Sequence, residues 1–276
     1  GVDMAQEYLT TPINKIQRDK WKEHIIKLGY IAISIIALIV TWWAIAVIVD
    51  KTYFPTPPEV FEALIQSFDN VPGIGLSMST QLFSSLERFV FGFLLALITA
   101  VPLGLLLGHS KRAEMLFTPA IEIIRPIPPM AWVPLFFLAF GVFFGPILTI
   151  FIGAFFPILS NVVFGVKSVD QNLIDASKTF GASRLQTFSK VIFPSTIPHM
   201  MTGISVGLGI GWMCIVSAEM IGAKGGGLGF IIQSCYSLSL YDYMFAGMVM
   251  VGILGILTAL FGKFIENEVA KWMGMK

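Results

Sequence analysis

The sequence predicts an all-α protein that crosses a membrane about six times and carries a helical segment on one side of it. Hydrophobic residues make up 55% of the 276 residues and charged residues only 13%, whereas a soluble domain has roughly 25% charged residues. The mean hydropathy is +0.80. Uncharged runs recur along the chain, each at least about the 20 residues that a helix needs to span the hydrocarbon core. These three observations predict a polytopic membrane protein.

The uncharged runs locate the spans. They cover residues 28–49, 89–108, 126–166, 191–218 and 243–262. The 126–166 run is long enough for two helices, and its GVFFGP sequence (Gly141–Pro146) predicts the turn between them, because Gly and Pro interrupt helices. We therefore expect spans near residues 27–50, 84–108, 115–141, 146–166, 197–220 and 243–264. The first of these is too long for the core of a signal peptide, so we expect it to remain in the protein.

Lysine and arginine are distributed unequally between the two sides of the predicted membrane domain. One side carries fourteen of them: Lys15, Arg18, Lys20, Lys22, Lys27, Lys111, Arg112, Lys167, Lys178, Arg184, Lys190, Lys263, Lys271 and Lys276. The other side carries two, Lys51 and Lys224. Because positive loops stay in the cytoplasm, we expect both termini there. The expected division is a basic amphipathic arm lying on lipid (1–26), a membrane domain (27–265) and a cytoplasmic tail (266–276).

A polar segment, residues 168–194, interrupts the apolar pattern on the cytoplasmic side; we call it the elbow. Ser168 with Gln171, and Ser183 with Gln186, fit the capping box that begins a helix. Gly181 lies where a left-handed residue would end the first helix. The elbow is therefore predicted to be two short helices joined at Gly181.

Each predicted elbow helix has an apolar face, and small residues surround the bend. The faces are Leu173, Ala176 and Phe180 on the first helix, and Leu185, Phe188 and Ile192 on the second. The pattern fits a docking surface for a cytoplasmic partner. It also fits a helix pair that lies on the lipid headgroups.

Ionisable groups at membrane depth are candidates for function because they are expensive to bury. Glu122 and Arg125 are three residues apart and precede the proline-rich sequence RPIPP. Broken backbone at this depth is tolerated where it lines a cavity or is buried in protein. We expect Glu122, Arg125, Pro128 and Trp132 to lie at the pathway or gate, although Glu122 and Arg125 could form only a structural pair and Trp132 could only pack. Glu219 is either a further gate residue or a solvated helix end.

Three glycine features have competing interpretations. Gly203, Gly207 and Gly211 recur every four residues and predict close helix packing, within the chain or between two copies. The G-x-S-x-G match at Gly203–Gly207 would make Ser205 a nucleophile only in a strand–turn–helix context with His and Asp partners. The sequence GAKGGGLGF (Gly222–Phe230) lacks the Lys-Ser/Thr of a phosphate-binding loop and is expected to be an external turn.

No motif for metal binding or nucleotide binding is present. Cys214 and Cys235 lack metal-ligand spacing and are too few for a disulfide framework. Walker-type and H-E-x-x-H sequences are absent. We therefore expect the chain to bind no metal and no nucleotide of its own, and the net charge of +1 gives no reason to expect a nucleic-acid partner.

The sequence DASKTFGASRLQTFSKVIFP (Asp175–Pro194) resembles the EAA loop of binding-protein-dependent ABC transporter permeases, the type I importers. The spacing from the acidic-Ala-x core through Gly181 to the closing Pro194 is that of the family; Asp175, Ser177 and Phe193 depart from its usual Glu, Ala and Leu. RPIPPMAWVPL, FFPILSNVVFGVKSVD and GLGIGWMCIVSAEMIGAKGGGLGF resemble the nitrate, sulfonate, taurine and bicarbonate subgroup. The resemblance covers about residues 60–265.

This resemblance implies a non-catalytic permease subunit in the inner membrane of a prokaryote, importing a small anion by alternating access. Its implied partners are two ATPase subunits that hold ATP and Mg, a second permease copy, an external binding protein and membrane lipid. Asp175, Ala176 and Gly181 would form the core of the ATPase contact. Leu173, Ser177, Phe180, Ala182 and Pro194 would complete it.

Two other functions are compatible with a polytopic chain. A secondary carrier would need coupling-ion ligands near the midplane and usually shows repeated halves; the sequence has no internal repeat and few carboxylates within the predicted spans. An intramembrane serine hydrolase would depend on Ser205.

Overall fold

A computed structural model describes the backbone of residues 13–222 and 225–272 and the side chains of 25–222 and 225–271. Within these ranges the chain is helical apart from its connections and one isolated bridge between Val71 and Leu76. Among the described residues, five helical stretches are long and apolar enough to cross a membrane: Ile25–Val49, Met78–His109, Pro129–Lys167, Arg184–Ile221 and Tyr241–Lys271. The predicted all-α membrane fold is confirmed.

The predicted third and fourth spans fall on three helical pieces. Helix α4 (Lys111–Ile124) ends before the proline-rich stretch, a short 3₁₀ helix follows at Pro129–Trp132, and α5 continues from Val133 to Lys167. The predicted 115–141 span is thus interrupted at its prolines, and only the 129–167 stretch qualifies as a span by length and composition.

Gly141 breaks α5, as the glycine and proline pattern predicted. Its φ of 76° and ψ of −177° are not helical. A Cβ built on Gly145 would come within 2.9 Å of the Phe137 ring, although positions eight apart on a straight helix are about 12 Å apart along the axis. The chain therefore folds back sharply at Gly141, and α5 is two helical arms.

The chain divides into two compact units that meet in sequence between Val60 and Phe61. In the first unit, α1 runs without interruption over Ile13–Val49, and Trp42 Nε1 donates to Pro55 O at 3.2 Å. The predicted amphipathic arm is therefore helical from Ile13 onward and joins the first span directly. Its residues 1–12 lie outside the described residues. Helix α2 (Pro57–Ser67) crosses into the second unit.

In the second unit, α5 packs between α3 (Met78–His109) and α8 (Phe193–Ile221). Buried aliphatic residues of α5, such as Ile150 and Ile158, form the core of this packing. Trp212 of α8 stacks on Phe89 of α3 with ring centroids 4.6 Å apart. The three helices form the scaffold that positions both sites described below.

Two further helices complete the second unit. Helix α9 (Leu228–Ser237) is short and buries Ile231 and Cys235. Helix α10 (Tyr241–Trp272) is joined to α8 by a 2.9 Å hydrogen bond from Trp212 Nε1 to Thr258 Oγ1. It extends into the predicted tail, whose residues 273–276 lie outside the described part.

Candidate functional site

The first half of the elbow is a short helix, α6 (Gln171–Thr179), that ends in a tight glycine bend. Gly181 has φ 78°, its N–H donates to Lys178 O, and Ala182 N donates to Ser177 O. This pair of bonds is the Schellman motif, which satisfies the last carbonyls of a helix. The expected helix end at Gly181 is therefore observed.

The helix begins at a different residue from the one the pattern predicts. Asp170, not Ser168, caps α6, and its carboxylate accepts from Asn172 N at 2.9 Å. Ser168 instead ends α5, with its hydroxyl bonded to Gly165 O. An Asp at the cap also places a negative charge at the positive end of the helix dipole.

The second half of the elbow is continuous with a membrane span. Helix α7 (Arg184–Thr187) begins with a full capping box between Ser183 and Gln186, as predicted. It passes through a π-helical turn (Phe188–Ile192) into α8, whose first turn contains Pro194. The prediction of a separate second elbow helix is therefore wrong. The second half of the elbow is the beginning of a 38-residue helical stretch, Arg184–Ile221.

The elbow presents apolar side chains to solvent. Phe180 is 90% exposed, Leu185 76% and Leu173 53%. The π turn separates Leu185 from Ile192, which is buried, so the predicted apolar face of the second helix is divided between solvent and core. The exposed part lies at the bend itself.

A hydrogen bond between hydroxyls joins the two halves of the elbow, and two further hydrogen bonds lie within its first half. The hydroxyls of Ser177 and Thr187 are 3.0 Å apart. Asp175 accepts from Lys178 Nζ at 2.9 Å and from Gln171 Nε2 at 3.1 Å. The hydrogen bond from Lys178, followed by that from Gln171, holds the pKa of the Asp175 carboxyl below its usual value. Ala176 is exposed between them.

A second polar cluster lies at the opposite end of α8. Glu219 is 2% exposed and forms a 2.9 Å ion pair with Arg88 NH1 on α3. Ser85 Oγ donates to the same carboxylate at 2.8 Å and accepts from Leu228 N at 2.9 Å. Gly229 N donates to the carboxylate at 3.1 Å. Glu219 is therefore not a solvated helix end.

The same cluster fixes the glycine turn that follows α8. Arg88 donates to the carbonyl oxygens of Gly225 and Gly226, and Gly227 N donates to Gln81 Oε1 at 2.6 Å. Gly227 has φ 107°, and a Cβ there would overlap the Glu219 carboxyl. The glycines are needed because polar side chains lie directly against the backbone.

The parts played by Arg88, Ser85 and Gln81 were not predicted from the sequence. Glu219 lies 131 residues from Arg88 in the chain, and no spacing rule connects them. Arg88 directly precedes an uncharged run, and a charged side chain that is buried at such a position requires a partner. This was the available signal. We name Gln81, Ser85, Arg88, Glu219 and Gly225–Gly229 the outer cluster.

The other predicted gate residues do not join this cluster. Glu122 and Arg125 are exposed, and neither takes part in an ion pair within the described residues. Pro128 precedes the 3₁₀ helix. Trp132 stacks on Phe136 at 5.9 Å, and its buried Nε1 has no hydrogen-bond partner among the described residues. A role for these four in the pathway stays a prediction.

The predicted packing glycines lie against helices of the same chain. A Cβ on Gly203 would meet Asn161 of α5, one on Gly207 would meet Ile158, and one on Gly211 would meet Phe89 of α3. Ser205 lies in the middle of α8. It therefore lacks the strand–turn–helix context in which the serine of a G-x-S-x-G motif acts as a nucleophile.

Comparison with known proteins places the chain in a family. Residues 100–271 match the family described as binding-protein-dependent transport system inner membrane component. An ABC transporter permease protein of Methanocaldococcus jannaschii is 39% identical over 92% of this chain and 94% of its own length. The taurine transport system permease protein TauC of Escherichia coli K12 is 32% identical, over 94% and 95% of the two chains.

Two further likenesses agree with this. The nitrate import permease protein NrtB of a Synechocystis strain is 33% identical, over 85% of this chain and 86% of its own. The methionine ABC transporter MetNI, in an inward-facing conformation, contains a chain that shares the fold with a TM-score of 0.57, 20% identity and coverage of 78% and 99%. Because the family match covers more than half of the sequence, and the relatives align along nearly all of it, the chain belongs to the inner membrane components of binding-protein-dependent transport systems, the permeases of ABC transporters.

Proposed function

We propose that the chain is the permease subunit of an ATP-driven importer for a small oxyanion of the sulfonate, taurine, nitrate or bicarbonate class. The observation that carries the coupling part of the proposal is the apolar surface of the elbow, where Leu173, Phe180 and Leu185 are all more than half exposed. Apolar side chains at the tip of a charged segment are typical of a docking site. The proposed occupant is a separate ATPase subunit, one for each of two permease copies.

The elbow is built to transmit force. Its two halves are joined by the Ser177–Thr187 contact, the capping box fixes the start of α7, and α7 continues through the π turn into α8. A displacement of the docked elbow would therefore move α8 as a lever. In this mechanism ATP and Mg are bound by the partner subunits, and the permease itself binds no cofactor and performs no catalysis.

The proposed orientation places the elbow and both termini in the cytoplasm. The basic loops support it, because fourteen of the sixteen Lys and Arg residues assigned to the two sides of the membrane lie on the elbow side. The outer cluster then closes the external end of α8. An external binding protein would deliver the solute at that end.

The proposed substrate class is supported by the taurine and nitrate relatives. The exposed guanidinium of Arg125, which makes no ion pair with a described residue, offers several N–H donors that suit an oxyanion. We place it on the pathway, with Glu122, Pro128 and Trp132 beside it. The pathway would be shared with a second copy of the chain.

Co-purification of the ATPase subunit tests the docking proposal. Phe180→Ala with Leu185→Ala should weaken ATPase retention about tenfold or more, since burying each such side chain contributes about 1.5–3 kcal/mol. Phe83→Ala is the matched control, because Phe83 is a 68% exposed phenylalanine at the start of α3. Undiminished retention by the double variant, or solute transport by the reconstituted chain without any ATPase, would refute the proposal.

A further inference from the structure

A polar cavity separates the elbow from the ends of two spans. It has a volume of about 760 Å³ and opens between α6, α7 and the last residues of α3 and α5. His109 contributes from the end of α3 and Lys167 from the end of α5, while Lys178 and Arg184 contribute from the elbow. The rings of His109 and Phe188 pack in a T-shaped arrangement with centroids 5.3 Å apart, and this contact restrains the His109 side chain.

The lining carries positive charge without any carboxylate. None of its twelve residues is Asp or Glu. Lys167 and Lys178 do form ion pairs, but their partners Glu114 and Asp175 lie outside the lining. Arg184 is exposed and makes no ion pair within the described residues. Gln171 and Thr187 add neutral donors that can complete the coordination of an anion.

The cavity lies where spans end. His109 is the last residue of α3 and Lys167 the last of α5, so the cavity is at the depth of the polar headgroups on the elbow side. Basic pockets between helices at this depth bind phosphate-bearing headgroups. A free phosphate ion in the cytoplasm would present the same oxygens to the same donors.

We propose that this cavity binds a phosphate group, through Arg184, Lys178, Lys167 and His109. The inference rests on the proposed cytoplasmic orientation of the elbow. An occupant would contact the elbow and both span ends, and would therefore restrict the displacement that the ATPase is proposed to drive. Phospholipid headgroups and inorganic phosphate are the two sources of the group.

Two binding measurements distinguish the sources. Native mass spectrometry of the chain purified from bilayers containing phosphatidylglycerol counts retained lipid. Radiolabelled inorganic phosphate is titrated in parallel against the delipidated chain in maltoside micelles, which carry no phosphate group. In the arm that gives binding, His109→Gln with Arg184→Gln should lower affinity about tenfold or more, because charged hydrogen bonds to phosphate are lost.

Lys190→Gln is the matched control, since Lys190 is an exposed elbow cation that does not line the cavity. If the double variant is poorly folded, Arg184→Gln alone replaces it, because this exposed side chain forms no ion pair with a described residue and lies in the first turn of α7. Equal binding by wild-type and Arg184→Gln chains in both arms, or no binding in either, would overturn the proposal. ATPase co-purification in the same preparations reports separately on the proposed function.

Discussion

Arg88 and Glu219 form an ion pair of 2.9 Å that joins the start of α3 to the end of α8, with side chains only 8% and 0% exposed. Desolvating two charges is costly, so such a pair is stable only when further hydrogen bonds satisfy both groups. Here Ser85 and Gly229 donate further hydrogen bonds to the carboxylate, and two glycine carbonyls accept further hydrogen bonds from the guanidinium. The outer cluster therefore joins two helices and a turn into one unit.

Removing one partner of this pair should be much worse than removing both. Glu219→Ala leaves Arg88 buried and unpaired, which should destabilise the chain by about 3–5 kcal/mol. Arg88→Met with Glu219→Leu removes both charges and should recover a large part of that loss. Thermal unfolding of the detergent-solubilised variants measures the difference. A double variant that is less stable than Glu219→Ala would contradict this account of the cluster.

The bend of the elbow gives a test of coupling. Nothing lies within 4 Å of a Cβ built on Gly181, so only its φ of 78° opposes substitution. Gly181→Val should strain the backbone by about 1–2 kcal/mol and loosen the bend, whereas Gly181→Asn should be tolerated because Asn visits this region more readily. Solute-stimulated ATP hydrolysis by the reconstituted complex should fall several-fold for Val and little for Asn. Equal activities would show that the bend geometry is not needed for coupling.

Local signals predicted the elements of the fold well. Uncharged runs marked the spans, Gly141 marked the break in α5, and the Ser183–Gln186 box and Gly181 marked the bend, because each feature depends on neighbouring residues. The start of α6 was misassigned because Asp170 and Ser168 are both good caps, and only the tertiary path of α5 decides between them.

Long-range relationships were not predictable in the same way. The outer cluster brings α3 together with residues more than 130 positions later, and hydropathy carries no information about such a pairing. The π turn, which shifts the register of Leu185 relative to Ile192, was also not predicted. No Pro or Gly lies within Phe188–Ile192 to indicate an irregular turn in the sequence. The expected alternative pair, Glu122 with Arg125, had ideal spacing but does not form among the described residues.

The thiol of Cys235 should be unreactive at neutral and mildly alkaline pH. Burial, with a smaller effect from Asp242, raises its pKa to about 12, and the thiolate is the reactive form. At pH 8 the thiolate fraction is on the order of 10⁻⁴, and it rises about tenfold per pH unit. Maleimide labelling of the native chain should therefore be negligible, while Ser237→Cys, on the exposed side of α9, should label readily. Rapid labelling of Cys235 without denaturant would show that α9 is not packed as described.

Substitutions at two glycines of α8 distinguish the effect of helix packing on stability from the effect of helix propensity. A Cβ on Gly203 would lie 2.8 Å from Asn161 Cβ and 3.2 Å from Ile158 Cα of α5, whereas a Cβ on Gly209 would meet nothing within 4 Å. Gly203→Ala should therefore push α8 away from α5 and destabilise the chain by about 1–3 kcal/mol. Gly209→Ala should be neutral or stabilising by up to about 1 kcal/mol, since Ala favours the helix. Unfolding midpoints of the two variants provide the measurement. If both variants are equally stable, α8 does not pack on α5 through Gly203, and a glycine-mediated contact with a second copy becomes the better explanation.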